Sequence, residues 1–358
     1  MLSSAYPLLR IFPPPRFLLA PAVGLTISDH SIRFAELARA GRFLTLLRSG
    51  EMEVPGDVFT DGKIRDRDAL KTALSEFRKK YRLRAAHIAL PDEESYLFHT
   101  KIQGVPRREV RARLLGEIEQ NVPLPKNEVL FDYQFARNAS EEVSVTVLPA
   151  KTAAEYLSLF RESGFSPLSF ELEAHALARA LVSPRENGTR MLIDMGRTRT
   201  AVSIVSNGIV LFTATITMGG EALTSAVAKS FGLTFAEARE QKMRVGLKKT
   251  EQGADMVNAL LPPLSTLRDE IKRYYSYWYS SAAPGKDGSS QKLEKILLSG
   301  VDAGIPGLPD YLRSSLKEKL SVANPWRNIN PLSDYTPTLA RNDALRYAVA
   351  FGLALRSF

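Results

Sequence analysis

The chain has 358 residues, a formal net charge of +9 and no cysteine. Without cysteine, neither a disulfide framework nor a thiolate metal site is possible, and this composition fits a reducing compartment. Hydrophobic residues make up 44% of the chain and charged residues 24%, a balance typical of globular proteins, and the length is enough for two domains.

The first 21 residues are predicted to form an irregular leader. Arg10, the proline run 13–15 and Arg16 interrupt its short apolar stretches, whereas a membrane-spanning helix needs about 20 apolar residues. The leader could touch a membrane surface or a partner, or it could be a loosely packed extension. Both interpretations stay open at this point.

Residues 22–90 are predicted to form paired strands, a helix and a buried strand. The pattern of residues 23–48 is typical of paired strands, and residues 86–91 form a short apolar segment ended by proline. Residues 67–81 are predicted to form an amphipathic helix because apolar residues recur there at helical spacing. The residues expected on its inner face are Leu70, Ala73, Leu74 and Phe77.

Residues 91–164 are predicted to form a smaller inserted module. Their pattern indicates the order strand, helix, strand, strand, helix, which packs helices on one face of an antiparallel sheet. In the strand "LFDYQF", alternation places Phe131 and Tyr133 on one face and Asp132 on the other.

The second half of the chain restarts the pattern of the first. It again predicts strand, turn, strand, with an Asn207-Gly208 hairpin turn. Helical material follows at 221–247, then a long amphipathic helix at 264–281 whose aromatic end, 274–281, is expected to be core. A surface loop is expected at 281–291, and residues 342–358 are predicted to form one closing helix packed on the body. Two similar halves would place a cleft between two hairpin turns.

Basic residues gather at 78–84 and 107–115. Such clusters suit an anionic membrane surface or an acidic partner, although a solvated helix face is the ordinary explanation. We expect no nucleic-acid function, because no helix-turn-helix, zinc finger or aromatic-basic RNA motif accompanies the charge.

Three turns carry residues suited to phosphate chemistry. Asp194 ends a predicted strand before the turn "GRTRT", which contains Gly196 and Thr198. Backbone N–H groups in such a turn can hold phosphate oxygens, and an acid there can hold Mg²⁺. Gly219 and Gly220 precede a helix, whose N-terminus suits an anion. The third turn holds Ser299 and Gly300, which could pass under an adenine ring.

The order of these segments resembles the PilM family, the actin-like proteins of type IV pilus assembly, and is more distantly similar to FtsA. The resemblance covers nearly everything after Val23. Besides the hairpins, the segments that carry it are "VFTDGKIRDRDALKTALSEF", "IALP", "LLGEIEQNVPLPKNEVLFDYQ", "FELEAHALARAL", "GGEALTSAVAKSFGLTFAEA", "LRDEIKRYYSYW" and "RYAVAFGLALRSF".

The resemblance implies an α/β, actin-like ATPase (ribonuclease H-like) fold. Its two similar halves would be divided into four subdomains, with the inserted module as subdomain IC. The expected boundaries are 22–90 and 165–190 for IA, 91–164 for IC, 191–220 and 293–344 for IIA, 221–292 for IIB, and 345–358 for a C-terminal helix packing back on IA.

The resemblance also implies partners and a location. Such a protein recruits the short cytoplasmic tail of a PilN-like inner-membrane protein to a groove that involves IA and IC. It would lie in the cytoplasm, peripherally on the inner membrane, couple to pilus motor ATPases and assemble as a homo-oligomer or ring. Because the groove would involve IC, the candidate partner-binding residues are Phe131, Asp132 and Tyr133.

The implied nucleotide site departs from the family pattern at several positions. In the first hairpin, Thr26 stands where the family has its metal-organising acid, and Ser28 replaces a glycine that approaches phosphate. Asp29, one position along, could compensate. Elsewhere Arg239 replaces an acid that would face the ribose, and Val301 and Asp302 replace part of a glycine-rich adenosine turn. The matching residues are Asp194, Gly196, Gly219, Gly220, Thr224, Lys242, Glu270, Arg273 and the water-positioning Glu173.

These departures favour a scaffold with a degenerate site for ATP and Mg²⁺, with weak or absent hydrolysis. Phosphoryl transfer depends on a metal ion held in register with the phosphates. The alternative is a working ATPase of the same fold, in which ATP binding gates assembly and Glu173 and Asp194 are catalytic. A sugar kinase on this fold is disfavoured because no substrate-binding insertion is apparent.

Overall fold

The structure is a computed structural model that describes residues 22–41, 43–54, 58–60, 62–137, 141–248, 253–281, 292–330 and 336–358. The predicted leader lies outside these ranges, as does the predicted loop apart from Ser281, which ends a helix. Of the helices described, none combines the length and the apolar run needed to cross a bilayer.

The first half is built on a five-stranded sheet. Its strands are β1 (Ala22–Ser28), β2 (Ser31–Ala40), β3 (Phe43–Glu53), β6 (Ala85–Leu90) and β10 (Ser166–Leu172). The order across the sheet is β10-β6-β1-β2-β3. Strands β1, β2 and β3 form an antiparallel meander, and β6 and β10 run parallel to β1. A short hairpin separates β3 from the first helix and consists of β4 (Phe59–Thr60) and β5 (Lys63–Ile64).

The second half repeats this arrangement. Its strands are β11 (Thr189–Met195), β12 (Thr200–Ser206), β13 (Ile209–Ile216), β14 (Leu293–Gly300) and β15 (Leu320–Val322). The order is β13-β12-β11-β14-β15, again an antiparallel meander followed by two parallel strands. Asn207 and Gly208 both have positive φ, 50° and 80°, as the predicted tight hairpin turn requires.

The inserted module forms a separate antiparallel sheet. Its strands are β7 (Tyr96–Lys101), β8 (Val129–Phe135) and β9 (Glu142–Pro149), in the order β7-β9-β8. Helices α2 (Val110–Asn121) and α3 (Ala150–Glu162) complete the predicted strand-helix-strand-strand-helix order. The alternating valines of β9 pack under α2 and form the core of this module.

Helix α1 (Arg67–Tyr81) has the predicted bounds. The carboxylate of Asp66 accepts a hydrogen bond from the N–H of Ala69 at 2.9 Å and so caps its first turn. The four residues expected on its inner face are all buried. The remaining helices are α4 (Glu173–Leu181), α5 (Gly220–Phe231), α6 (Phe235–Val245), α7 (Gly253–Ser281), α8 (Leu308–Leu316), α9 (Arg341–Leu345) and α10 (Ala348–Ala354).

Helix α10 packs tightly against both β1 and α4. A Cβ atom added at Gly24 of β1 would lie 2.0 Å from the carbonyl oxygen of Ala350. One added at Gly352 would lie 1.8 Å from the carbonyl oxygen of Ala176 in α4. These glycines let α10 approach the backbone of its neighbours, so the C-terminal segment is part of the body, as predicted.

Three expectations about helices need correction. The closing segment is two helices, because the chain turns at Arg346 and Tyr347 between α9 and α10. Helix α7 begins at Gly253 and continues through two prolines at 262 and 263. Its aromatic end is only partly core, since Trp278 is buried but Tyr277 and Tyr279 are exposed.

Candidate functional site

The two hairpin turns face each other across a narrow cleft between the halves. A cavity of about 80 Å³ lies there, whereas sites for small molecules usually measure about 300–1,000 Å³. The predicted residues that line it are Thr26, Ser28, Asp29, Glu173, Asp194, Gly196, Thr198 and Gly300. The structure therefore brings together residues that the sequence places in both halves.

Four arginines also line this cavity: Arg33, Arg197, Arg199 and Arg346. Arg33 stands opposite Thr26 in the β1–β2 register and pairs with Glu51 at 2.8 Å. Burial raises the pKa of Asp194, and the positive charge of Arg33 opposes that shift. A guanidinium thus lies beside Thr26, on the strand paired with it. Among the described residues, no group of three acidic or histidine side chains is arranged to hold a metal ion.

Buried carboxyl groups lie beside these arginines. Burial raises the pKa of Glu173 to about 8, with Arg199 acting in the opposite direction. Burial likewise raises the pKa of Asp194 to about 6 and that of Asp92 to about 7. Burial thus favours the protonated form of Glu173, whereas a base that activates water must be deprotonated.

Asp92 was not predicted as a site residue. It lies just after β6, and its carboxylate accepts hydrogen bonds from the N–H of Ala174 at 3.3 Å and the hydroxyl of Thr213 at 3.0 Å. The carboxylate therefore joins the first turn of α4 to β13 of the second sheet. The sequence signal for Asp92 is its position as a polar residue shortly after a buried parallel strand.

The N–H groups at the start of α5 are engaged within the protein. Gly220 N–H donates to the carbonyl of Gly196 at 3.0 Å, and Glu221 N–H donates to that of Arg197 at 2.7 Å. A Cβ atom at Gly219 would lie 2.6 Å from the same two carbonyl oxygens. Gly219 thus lets the β11–β12 turn pack on the helix, and these donors are not directed at an open phosphate position.

Lys242 and Asp302 form a buried ion pair with a Nζ–Oδ1 distance of 2.6 Å. Lys242 also donates to the carbonyl of Gly220 at 2.8 Å. Burial lowers the pKa of Lys242, while Asp302 opposes that shift. A Cβ atom at Gly220 would lie 1.5 Å from Asp302 Oδ2, so Asp302 occupies the space in front of this glycine. The sequence does not indicate that Lys242 and Asp302 form a pair, but the structure brings them together.

Contacts between the two halves, and between the second hairpin and the turn after β6, hold the cleft closed. Asp29 accepts a hydrogen bond from the hydroxyl of Thr198, and His30 Nε2 lies 3.1 Å from a carboxylate oxygen of Glu221. Arg199 pairs with Glu93 at 3.1 Å. The second carboxylate oxygen of Asp29 is buried without a hydrogen-bond partner. The side chain that could have compensated for Thr26 is used to join the halves.

The other predicted nucleotide residues lie outside the cavity lining. Glu270 and Arg273 pair with each other on α7 at 2.5 Å. The hydroxyl of Thr224 donates to the carbonyl of Gly220 at 2.9 Å, and that of Ser28, which does line the cavity, donates to Ser31. Ser299 is buried and stands opposite Asp194 in the β11–β14 register. Arg239 lies on α6.

The candidate partner-binding residues occupy two faces of β8. Phe131 and Tyr133 pack against the core of the inserted module, and the guanidinium of Arg111 lies 4.2 Å from the Phe131 ring centroid. Asp132 is exposed on the other face, as alternation predicts, with Leu130 and Gln134 beside it. A cavity of about 90 Å³ adjoins the end of this strand. It is lined by Gln134, Arg137, His175, Arg179, Gly208 and others.

Comparison with known proteins identifies a matching family and a similar solved structure. Residues 24–358 match the family described as type IV pilus assembly protein PilM. The chain is similar to the structure of a PilM–PilN type IV pilus biogenesis complex, with a TM-score of 0.73, 23% identity and coverage of 94% of this chain and 98% of that chain.

Two further solved structures have the same fold. One is the ethanolamine utilization protein EutJ from Carboxydothermus hydrogenoformans, with a TM-score of 0.54, 16% identity and coverage of 96% of this chain and 90% of that chain. The other is MreB5 of Spiroplasma citri bound to ADP, with a TM-score of 0.56, 13% identity and coverage of 94% and 95%. The actin-like ATPase fold expected from the sequence is confirmed.

Proposed function

The chain belongs to the PilM family of type IV pilus assembly proteins, and from this membership we propose that it is a platform that binds the cytoplasmic segment of a PilN-like membrane protein. The observation that carries the proposal is the family match, which spans residues 24–358. The similar structure that contains PilN supports the choice of partner. The platform would lie in the cytoplasm against the inner membrane, contact pilus motor ATPases and assemble with further copies of itself.

We further propose that the cleft hydrolyses ATP poorly or not at all. Thr26 cannot hold a metal ion as an acid would, and Arg33 already supplies positive charge beside Asp194. Lys242, which the family pattern reserves for the nucleotide, is neutralised by Asp302 at 2.6 Å. Glu173 carries a proton at neutral pH because burial raises its pKa to about 8.

The partner segment would pair with the exposed edge of β8. This strand lies at the edge of its sheet, and an edge strand offers main-chain hydrogen bonds to an extended peptide. Leu130 is 55% exposed there, an apolar contact for such a peptide. Of the three candidate residues, Asp132 would face it, while Phe131 and Tyr133 would support the strand from the core side.

Titration of the purified protein with a synthetic peptide of the PilN-like cytoplasmic segment tests this proposal. Burial of one leucine is worth about 1.5–3 kcal/mol, so Leu130→Asp is expected to weaken peptide binding roughly 10-fold or more. Leu47→Asp is the matched control, because Leu47 is 59% exposed but lies on β3. Absence of peptide binding would overturn the partner assignment, and equal effects of the two substitutions would overturn the assignment to β8.

A further inference from the structure

Five basic residues crowd the end of α1 and the start of β6. They are Arg78, Lys79, Lys80, Arg82 and Arg84. In the part of the chain that the structure describes, no carboxylate lies within ion-pair distance of any of them, whereas most other buried or half-buried arginines are paired. From residue 77 to residue 91 the sequence contains no acidic residue. We define these five residues as the basic edge.

The end of a helix explains only part of this charge. Arg78, Lys79 and Lys80 lie in the last turn of α1, where cations complement the partial negative charge of the helix C-terminus. Arg82 and Arg84 follow the helix, however, and gain little from it, because the effect falls off within one turn. Five like charges in close succession repel one another, so their concentration requires a further reason.

The basic edge surrounds a broad, shallow cavity of about 600 Å³. Four of the five residues line it together with Leu83, Gly164 and Ser166. Gly164 has a φ of +83°, and a Cβ atom there would lie 2.7 Å from Arg78 Nε. That nitrogen is buried without a hydrogen-bond partner. The surface thus offers exposed charges around a half-buried arginine whose Nε has no hydrogen-bond partner in the protein.

The location of the basic edge indicates the kind of partner. It lies where β6 and β10 begin, since Ser166 N–H donates to the carbonyl of Arg84 at 2.8 Å. The cleft lies at the opposite ends of these strands. Strand β1 begins at this edge too, with Ala22 paired to Ala85.

An exposed apolar side chain accompanies the charge at this edge. Leu168, two residues after Ser166 on β10, is 51% exposed. A combination of apolar groups and unpaired cations suits the surface of an anionic bilayer, because the acyl region takes up the apolar groups and the headgroups attract the cations. A nucleic-acid backbone would pair with the cations but has no acyl layer to receive an exposed leucine.

We propose that the basic edge binds the surface of a bilayer containing anionic phospholipids. This inference goes beyond the binding of a membrane protein's tail and does not depend on it. Docked in this way, the protein would turn the edge opposite the cleft toward the lipid headgroups.

Flotation of the full-length protein with vesicles tests the inference. Phosphatidylcholine vesicles with and without one-third phosphatidylglycerol are compared, without any peptide partner. Each basic residue beside an anionic bilayer strengthens binding about fivefold, so the triple variant Lys79→Gln, Lys80→Gln, Arg84→Gln is expected to bind anionic vesicles roughly 100-fold more weakly. The matched control is Lys229→Gln, Lys292→Gln, Lys319→Gln, which removes the same charge from exposed positions in the second half.

The expected result is binding to anionic vesicles only, loss of binding in the first variant and retention in the control. Equal binding to both vesicle types, or equal loss in both variants, would overturn the inference. So would displacement of the protein from the vesicles by duplex DNA at the same phosphate concentration, since that would assign the basic edge to nucleic acid.

Discussion

Asp302→Ala tests the buried ion pair that lies in front of Gly220 at the start of α5. The substitution leaves Lys242 buried with only its hydrogen bond to the carbonyl of Gly220, because the partner at 2.6 Å is gone. Loss of one member of a buried pair costs about 3–5 kcal/mol, since the remaining charge stays desolvated. We therefore expect the free energy of unfolding to fall by about that amount.

The double variant Asp302→Ala, Lys242→Met separates the ion pair from simple packing. Replacement of a whole buried pair by apolar groups is often close to neutral, so the double variant is expected to be more stable than Asp302→Ala alone. The resulting coupling energy would be about 2 kcal/mol or more.

Urea unfolding followed by tryptophan fluorescence measures these differences. The chain has two tryptophans, Trp278 and Trp326, and both are buried in the folded protein. A cost below about 1 kcal/mol for Asp302→Ala would refute the reasoning, because that is the range of exposed ion pairs. Additive effects in the double variant would refute it as well.

Two further predictions concern protonation and packing. Burial raises the pKa of Glu173 to about 8 and of Asp92 to about 7, so the folded state binds more protons than the unfolded state at neutral pH. Stability is therefore expected to fall as pH rises from about 6.5 to 8, by about 1.4 kcal/mol per unit for each protonated group, and Glu173→Gln should reduce the slope in urea unfolding. Burial lowers the pKa of His87 and His175 to about 4, so these histidines make stability rise with pH, but only below about pH 6.5. An unchanged slope in Glu173→Gln would contradict the raised pKa of Glu173. In thermal unfolding, Gly352→Ala is expected to lower stability by about 1–3 kcal/mol through overpacking. Gly116→Ala should instead stabilise α2 by about 0.5–1 kcal/mol, because no atom lies within 4 Å of the added Cβ. The opposite order of stabilities would contradict the packing of α10 on α4.

Local features of the fold could be predicted because their causes are local. Helix α1 has the expected bounds because Asp66 caps it and its apolar residues share one face. The Asn207-Gly208 turn follows from the tolerance of both residues for positive φ. The strand-turn-strand start of the second half could be predicted because it repeats the hydrophobic pattern of the first.

Helix ends were predicted less well where tertiary packing overrides local preference. Prolines remove N–H donors from a helix, so the sequence indicates a helix starting after residue 263. Helix α7 nevertheless begins at Gly253, because residues on both sides of the prolines, such as Leu260 and Leu264, share one buried face. Residues 342–358 keep an apolar stripe across the turn at Arg346, so periodicity alone does not reveal the break.

The state of the candidate site could be predicted only in part. The positions of Thr26 and Asp194 in facing hairpins follow from the repeat. The pairing of Lys242 with Asp302, 60 residues apart in the sequence, does not, because no local pattern joins them. The protonation of Glu173 depends on burial by several elements, and the subdomain boundaries given above remain predictions.

We expect this protein to bind its partner without a nucleotide, because Thr26 replaces the acid of the first hairpin and Lys242 is paired with Asp302. Calorimetric titration with the PilN-like peptide, in the absence and presence of millimolar ATP and Mg²⁺, tests it most directly, alongside a titration of ATP and Mg²⁺ into the protein alone. The same peptide affinity is expected under both conditions, with no heat from ATP. Peptide binding that requires ATP, or tight Mg²⁺-dependent ATP binding, would contradict it.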